Sequence, residues 1–463
     1  MDEFPSYFNS FHRKSPEMTM HARETLQQAE ERLTVATAEV ERLRREVAVR
    51  KAVIAPIWPL PVEILSIIFL ECTYLDWKSP LIIRAVCRKW HSIVGETKRA
   101  WSRLEITHAT PLCFIEFWFQ HYVSTPLHLS VHPSGSTKAV EVALDHQPSL
   151  VCFSLFDNLH VLMNSFPNLE VLRIGRLNRA TQVGKEKKVA RDQKKALYIL
   201  RHRTESDSSL LSSIRFPRLT VLQLHDPPAA LLRQVAKTPF FPPLQELHIT
   251  VGDSGWREII EHAAGGLVKL TFWISEDYRL PYALPILLRK LTHLFIYSVP
   301  IKSPPLRNRY YHGFYLRTPS LQSYHQQGRV HAKRILHADV STVRSACLEA
   351  LPHADLSKFD ALENLVLFVT RDTLDAPLYI RELVQNPRIC MFLDKIMFHV
   401  SGNDPLADGW KRNLVHAEGQ LKKKRSLVVE VALAGDISGP RKFATYCTCD
   451  ANEGSGDRFC ENT

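Results

Sequence analysis

Apolar and polar positions follow three different rhythms along this chain. From His21 to Ile54 there is no Gly or Pro, and Glu, Arg, Ala and Leu dominate, all good helix formers. Leu26, Leu33, Val40, Val47 and Ile54 fall seven residues apart, and Ala22, Ala29, Ala36 and Leu43 each precede one of them by four. That is a heptad seam, large residues on one position and mostly small ones on the other. The pattern predicts a helix over 21–55. It either lies on its own chain as a single amphipathic helix or pairs with a second copy as a coiled coil. The alanines and the short run lean towards the first. Residues 1–20 carry Pro5, Pro16 and no period, and read as a disordered tail.

Pro56, Pro59 and Pro61 end that helix, because proline cannot continue one but suits the first turn of the next. Glu63 falls in that first turn, where its charge meets the helix dipole favourably. Ile64, Leu65, Ile68, Phe69 and Cys72 then give a broad apolar stripe. Ser79-Pro80 reads as a second helix start, and Leu81, Ile82, Ala85, Val86, Trp90, Ile93 and Val94 continue at helical spacing. Trp101 and Leu104 close a small helical module over 56–104, unusually apolar for its size.

From about residue 105 short apolar runs alternate with Pro, Asn, Asp, Ser and Gly. Phe166-Pro-Asn-Leu-Glu-Val-Leu-Arg-Ile is matched by Phe216-Pro-Arg-Leu-Thr-Val-Leu-Gln-Leu and Phe241-Pro-Pro-Leu-Gln-Glu-Leu-His-Ile, with weaker copies at Gly266, Arg289, Pro319 and Ala361. The early copies recur at about 25 residues or a double step, inside the ~20–29-residue period of leucine-rich repeats. Each unit ends in period-two alternation, one short strand with an apolar inner face. A lone strand cannot bury that face, so neighbours must stack. Ala229 to Val235 and Trp256 to His262 read as return helices. The expected fold is therefore α+β: an N-terminal helix, a three-helix module, then an α/β leucine-rich-repeat-like solenoid over 105–438. Residues 178–213 read as an insertion in it, and 439–463 as a loose tail.

Composition narrows the function. The net charge of +11 invites an acidic partner, but the basic runs, Lys185 to Lys195 and Lys422 to Arg425, have no interleaved aromatics to stack bases. They read as solvated segments, not a nucleic-acid surface. Nine cysteines in irregular spacing, no secretory leader and no apolar membrane span place the chain in the reducing cytoplasm or nucleus. Glycine-rich phosphate loops, His-Glu-x-x-His and Gly-x-Ser-x-Gly are missing, and Gly252-Asp-Ser-Gly255 is not a nucleophile elbow. Cys447, Cys449 and Cys460 lack the fourth ligand a closed zinc site wants. We therefore expect no enzyme, cofactor or metal.

Leu60-Pro61-Val62-Glu63-Ile64-Leu65, Ile68-Phe69, Val86-Cys87-Arg88-Lys89-Trp90 and Trp101 together resemble an F-box, over about a tenth of the chain. The closure reads Ala100-Trp101 where the family has Leu-Trp. The helix upstream and the Phe-Pro-x-Leu units downstream are similar to a large fungal F-box family. The resemblance implies three helices packed on a Skp-type adaptor linked to a cullin scaffold of a ubiquitin ligase. The adaptor-facing residues it implies are Leu60, Pro61, Ile64, Leu65, Ile68, Val86, Cys87 and Trp90. The repeat region would receive a protein substrate on its concave strand face. The alternative is a repeat-based interaction scaffold outside any ligase, with self-association through 21–54.

Overall fold

The computed structural model describes residues 16–54, 60–156, 162–175, 211–275, 284–299, 315–327, 338–349, 356–369, 383–401 and 427–434, apart from a few positions inside those ranges. The basic runs and the expectations for the insertion's body and the C-terminal tail lie outside the described residues. The chain divides into two units, 1–69 and 70–463, with the boundary inside one helix.

In the first unit α1 runs from Pro16 to Ile54. It opens earlier than the heptads suggest, on a proline whose missing N–H costs nothing at the first helical position. Glu17 in its first turn and Lys51 in its last both suit the dipole. Arg42–Glu39, Arg44–Glu41 and Arg50–Glu46 ion pairs line its surface. From His21 to Lys51 every side chain is exposed except the half-exposed Glu46. The heptad positions Leu26, Leu33, Val40, Leu43 and Val47 are among these exposed residues. The unit ends with the first half of α2 (Val62–Leu75), where the Pro61 carbonyl accepts from the Leu65 N–H at 3.1 Å.

The second unit begins with the rest of α2, then α3 (Ser79–Arg84), α4 (Arg88–Glu96) and a 3-10 turn (Lys98–Trp101). Ser79 is the first residue of α3 and not its cap; its hydroxyl instead donates to the Cys72 carbonyl at 2.9 Å. There follow β1 (Arg103–Ile106), α5 (Leu112–His121), β2 (Leu127–Val131), α6 (Thr137–Leu144), β3 (Leu150–Phe156), β4 (Val171–Gly175) and β5 (Val221–His225). Next come α7 (Ala229–Ala236), β6 (Glu246–Val251), α8 (Trp256–Ala263) and β7 (Lys269–Ser275), so both expected return segments are helical. The remaining strands are β8 (Ile286–Leu287), β9 (His293–Val299), β10 (Leu316–Arg317), β11 (Ser323–Gln327), β12 (Ser345–Glu349), β13 (Asn364–Val369), β14 (Lys395–Ser401) and β15 (Val428–Ala434). Thirteen strands form one parallel sheet in chain order, while β8 and β10 pair separately. The protein thus combines helices with a large parallel sheet.

One hydrogen-bond device repeats along this sheet. From β4 onwards the residue after the leading leucine, or after Val343 in one unit, offers its carbonyl to two successive N–H groups of the next strand. Thr220 and Val221 donate to Glu170, Gln245 and Glu246 to Thr220, Val268 and Lys269 to Gln245, and Thr292 and His293 to Val268. The series continues through Thr292, Gln322, Arg344 and Glu363 as acceptors. The same register aligns Leu172, Leu222, Leu247, Leu270 and Leu294, all fully buried. In β11 the neighbouring core row carries Gln326, whose side-chain oxygen accepts from the Tyr324 hydroxyl at 2.6 Å, so a polar group sits satisfied in an apolar row.

Gly255 begins α8 at φ 90°, and a Cβ there would lie 2.9 Å from the Leu232 carbonyl carbon and oxygen. Gly255→Ala is expected to cost about 1–3 kcal/mol through left-handed strain and this clash. Urea denaturation checks it, and an unchanged midpoint contradicts it.

His128 on β2 is pushed down to about 4 by burial, with Arg103 and Arg173 adding to the effect. The unfolded chain takes a proton near 6.5, the folded one near 4, so the unfolded state binds more protons in between. Stability therefore falls as pH drops from 6.5 towards 4, by about 3 kcal/mol from this group, and its contribution levels off below. His128→Gln is expected to flatten that part of a urea-midpoint profile against pH; an unchanged slope contradicts the assignment.

Candidate functional site

Outside α1, exposed large apolar side chains recur on α2, and others on α3. A helix apolar all round has more than one face to bury, and α2 has two. Leu65, Phe69 and Thr73, four residues apart, point inward and are almost wholly buried. Ile64, Ile67 and Ile68 point outward, with Ile67 58% exposed. Of the eight residues expected to face a partner, Leu65 therefore belongs to the protein's own core: it has no surface left to offer. Ile64 and Ile68 are open, Pro61 is exposed and Leu60 half-buried.

The second unit presents its own group. Leu75 is 72% exposed, Ile82 61% and Val86 53%. Their chain neighbours Pro80 and Ile83 turn inward. Cys87 and Trp90 are half-buried. Cys87 caps α4 with extended backbone, its sulfur accepting from the Trp90 N–H at 3.5 Å, so it also positions the helix. Arg84 is held beneath α3 by His121, 3.0 Å away, and by the Phe117 ring.

Trp101 carries the load under α4. It is fully buried, and its indole N–H donates to the Val94 carbonyl at 2.9 Å. Its own carbonyl accepts from the Trp118 indole at 2.8 Å, and the two rings meet edge to face at 4.9 Å. Ala100 beside it is buried too, so the departure from the Leu-Trp closure is accommodated in the packing.

A second candidate surface is the sheet face opposite the leucine rows. Over β9–β14 it is closed: Phe295, Tyr297, Cys347, Val366 and Phe368 form a buried cluster with Trp273 and Met397 against it. The expected substrate-binding strand face therefore does not extend open along the whole sheet, because parallel strands apolar on both faces become buried on both. Over β1–β6 the same face is mostly polar, buried at Cys152 and Ser154 of β3 and half-buried at the charged and amide positions. It carries Arg103, Glu105, Arg173, Gln223, His225 and Glu246. Arg173 bonds the Gln223 side chain at 3.0 Å. A hydrogen bond with His132 holds the Glu105 carboxyl below the usual carboxylate range, and one with His248 does the same for Glu246. His248 is lowered by burial. No group of metal-binding side chains occurs among the described residues, and none of their helices is long and apolar enough to cross a membrane.

Sequence reasoning did not single out Val62, Ile67, Leu75 or Ile82 as surface residues. The signal was there in α2, whose apolar positions overrun one stripe. The chain matches no known family model, no curated protein and no solved structure.

Proposed function

We propose that this chain is an F-box-type adaptor that carries protein substrates to a cullin-based ubiquitin ligase. The observation that carries the reading is the outward-facing apolar set of α2, Ile64, Ile67 and Ile68. Each faces water although a separate, inward set already builds the core. Large exposed apolar groups mark protein-binding surfaces, and each Ile or Leu fully buried by a partner contributes about 1.5–3 kcal/mol. A Skp-type adaptor helix surface is the occupant this motif implies, and ubiquitin transfer itself then belongs to the cullin-bound partners.

The parallel sheet with its repeating carbonyl acceptor supports reading residues 105–438 as a leucine-rich-repeat-like solenoid. The substrate surface then is the polar face of β1–β6, not the closed aromatic part. Co-expression with a Skp-type adaptor, followed by size-exclusion chromatography, tests the reading. A stable complex supports it. Absence of any complex favours the alternative, a repeat-based scaffold outside a ligase, for which the exposed seam of α1 is the supporting observation.

A further inference from the structure

We infer that α1 is one strand of a parallel two-stranded coiled coil joining two copies of this chain. The inference is independent of the adaptor reading. Leu26, Leu33, Val40 and Val47 occupy one heptad position, Ala29, Ala36 and Leu43 the other, and all lie on exposed turns of one unbroken 39-residue helix. A helix of this length needs no partner to form, yet Leu33 remains 67% exposed. Such a seam has a solvent cost that a matching seam removes.

The occupant follows from charge. Seven glutamates match six arginines and one lysine along α1, so the helix is neutral. A helix lying on an anionic membrane surface carries a basic face instead. With the leucines at position a and the alanines at d, Glu39 and Glu46 fall at g, Arg44 and Lys51 at e. In a parallel pair g meets e of the next heptad on the other copy. Glu39 then faces Arg44 of the second copy and Glu46 faces its Lys51, each twice by symmetry. Val40, Leu43 and Val47 place β-branched residues at a and leucine at d, the combination that selects two parallel strands. The intrahelical pair that Arg44 now makes with Glu41 is exposed and worth little, so exchanging it is cheap. The alanine layers weaken the N-terminal part, and the Val40–Val47 part supplies most of the grip.

Sedimentation equilibrium of the full chain tests this. The wild type is expected at twice the 53.1 kDa chain mass. Leu33→Asp/Val40→Asp is expected to raise the dimer dissociation constant at least about 100-fold, with the melting temperature of the remaining fold unchanged. Ala29→Cys, oxidised beside the unsubstituted chain, is expected to give a disulfide-linked dimer that the unsubstituted chain does not. In the antiparallel register that sets Leu33 against Ala36 the two cysteines lie about 16 Å apart along the axis and do not join. A monomeric wild type overturns the proposal, as does a dimer that survives the double substitution. A dimer that Ala29→Cys fails to link overturns the parallel arrangement.

Discussion

Ile64→Asp/Ile68→Asp is expected to weaken binding of a Skp-type adaptor at least about 100-fold, a loss of about 2.7 kcal/mol or more, while folding stability changes by only about 1 kcal/mol. Both residues are exposed in the free chain, Ile64 at 43% and Ile68 at 36%, so charging them disturbs far less internal packing than a core substitution does. On an apolar interface each carboxylate would be buried without a partner, which costs several kcal/mol. Leu65 supplies the contrast. Its immediate neighbour Ile64 is 43% exposed, yet Leu65 itself is wholly buried. Leu65→Ala should therefore cost about 2–5 kcal/mol of stability. Isothermal titration and thermal melting separate the outcomes. Retained tight binding by the double aspartate, or a stability-neutral Leu65→Ala, would contradict the division of α2 into two faces.

Trp101→Ala is expected to remove about 3–5 kcal/mol of folding stability. It deletes a fully buried ring, its edge-to-face contact with Trp118, and the donor to the Val94 carbonyl. Trp101→Phe keeps an aromatic ring and loses chiefly that donor, for about 1–3 kcal/mol. Urea denaturation orders them: wild type, then Phe, then Ala. Equal midpoints for Ala and wild type would mean that Trp101 does not anchor α4.

The helix start at Pro61 and the Phe-Pro-x-Leu units were legible because each rests on local chemistry: proline at a first turn, or an apolar alternation ending in a strand; the start of α1 at Pro16 was not, because residues 16–20 carry no apolar period. Two units were not. Val343-Arg-Ser-Ala has no leading leucine and buries only Ala346 in its core row, and Leu393-Asp-Lys-Ile lacks the Phe-Pro lead. Their equivalence shows in the carbonyls of Arg344, which accepts from Glu363 and Asn364 as in the other units, and Asp394, which accepts from Val428. The closed part of the second sheet face was readable and misjudged. Leu294-Phe-Ile-Tyr and Leu365-Val-Leu-Phe are continuous apolar runs, the mark of a strand covered on both sides. The inward or outward sense of adjacent residues such as Ile64 and Leu65 depends on what α2 packs against, which no local pattern encodes.

Hydrogen exchange of the chain alone and with a Skp-type adaptor shows whether the open apolar residues of α2, and those of α3, bind a partner. The predicted result is slowed exchange within 62–75 and 79–90 on adding the adaptor, with the amides of β4–β7 unchanged. Unaltered exchange across 62–90, or protection confined to the sheet, would contradict it.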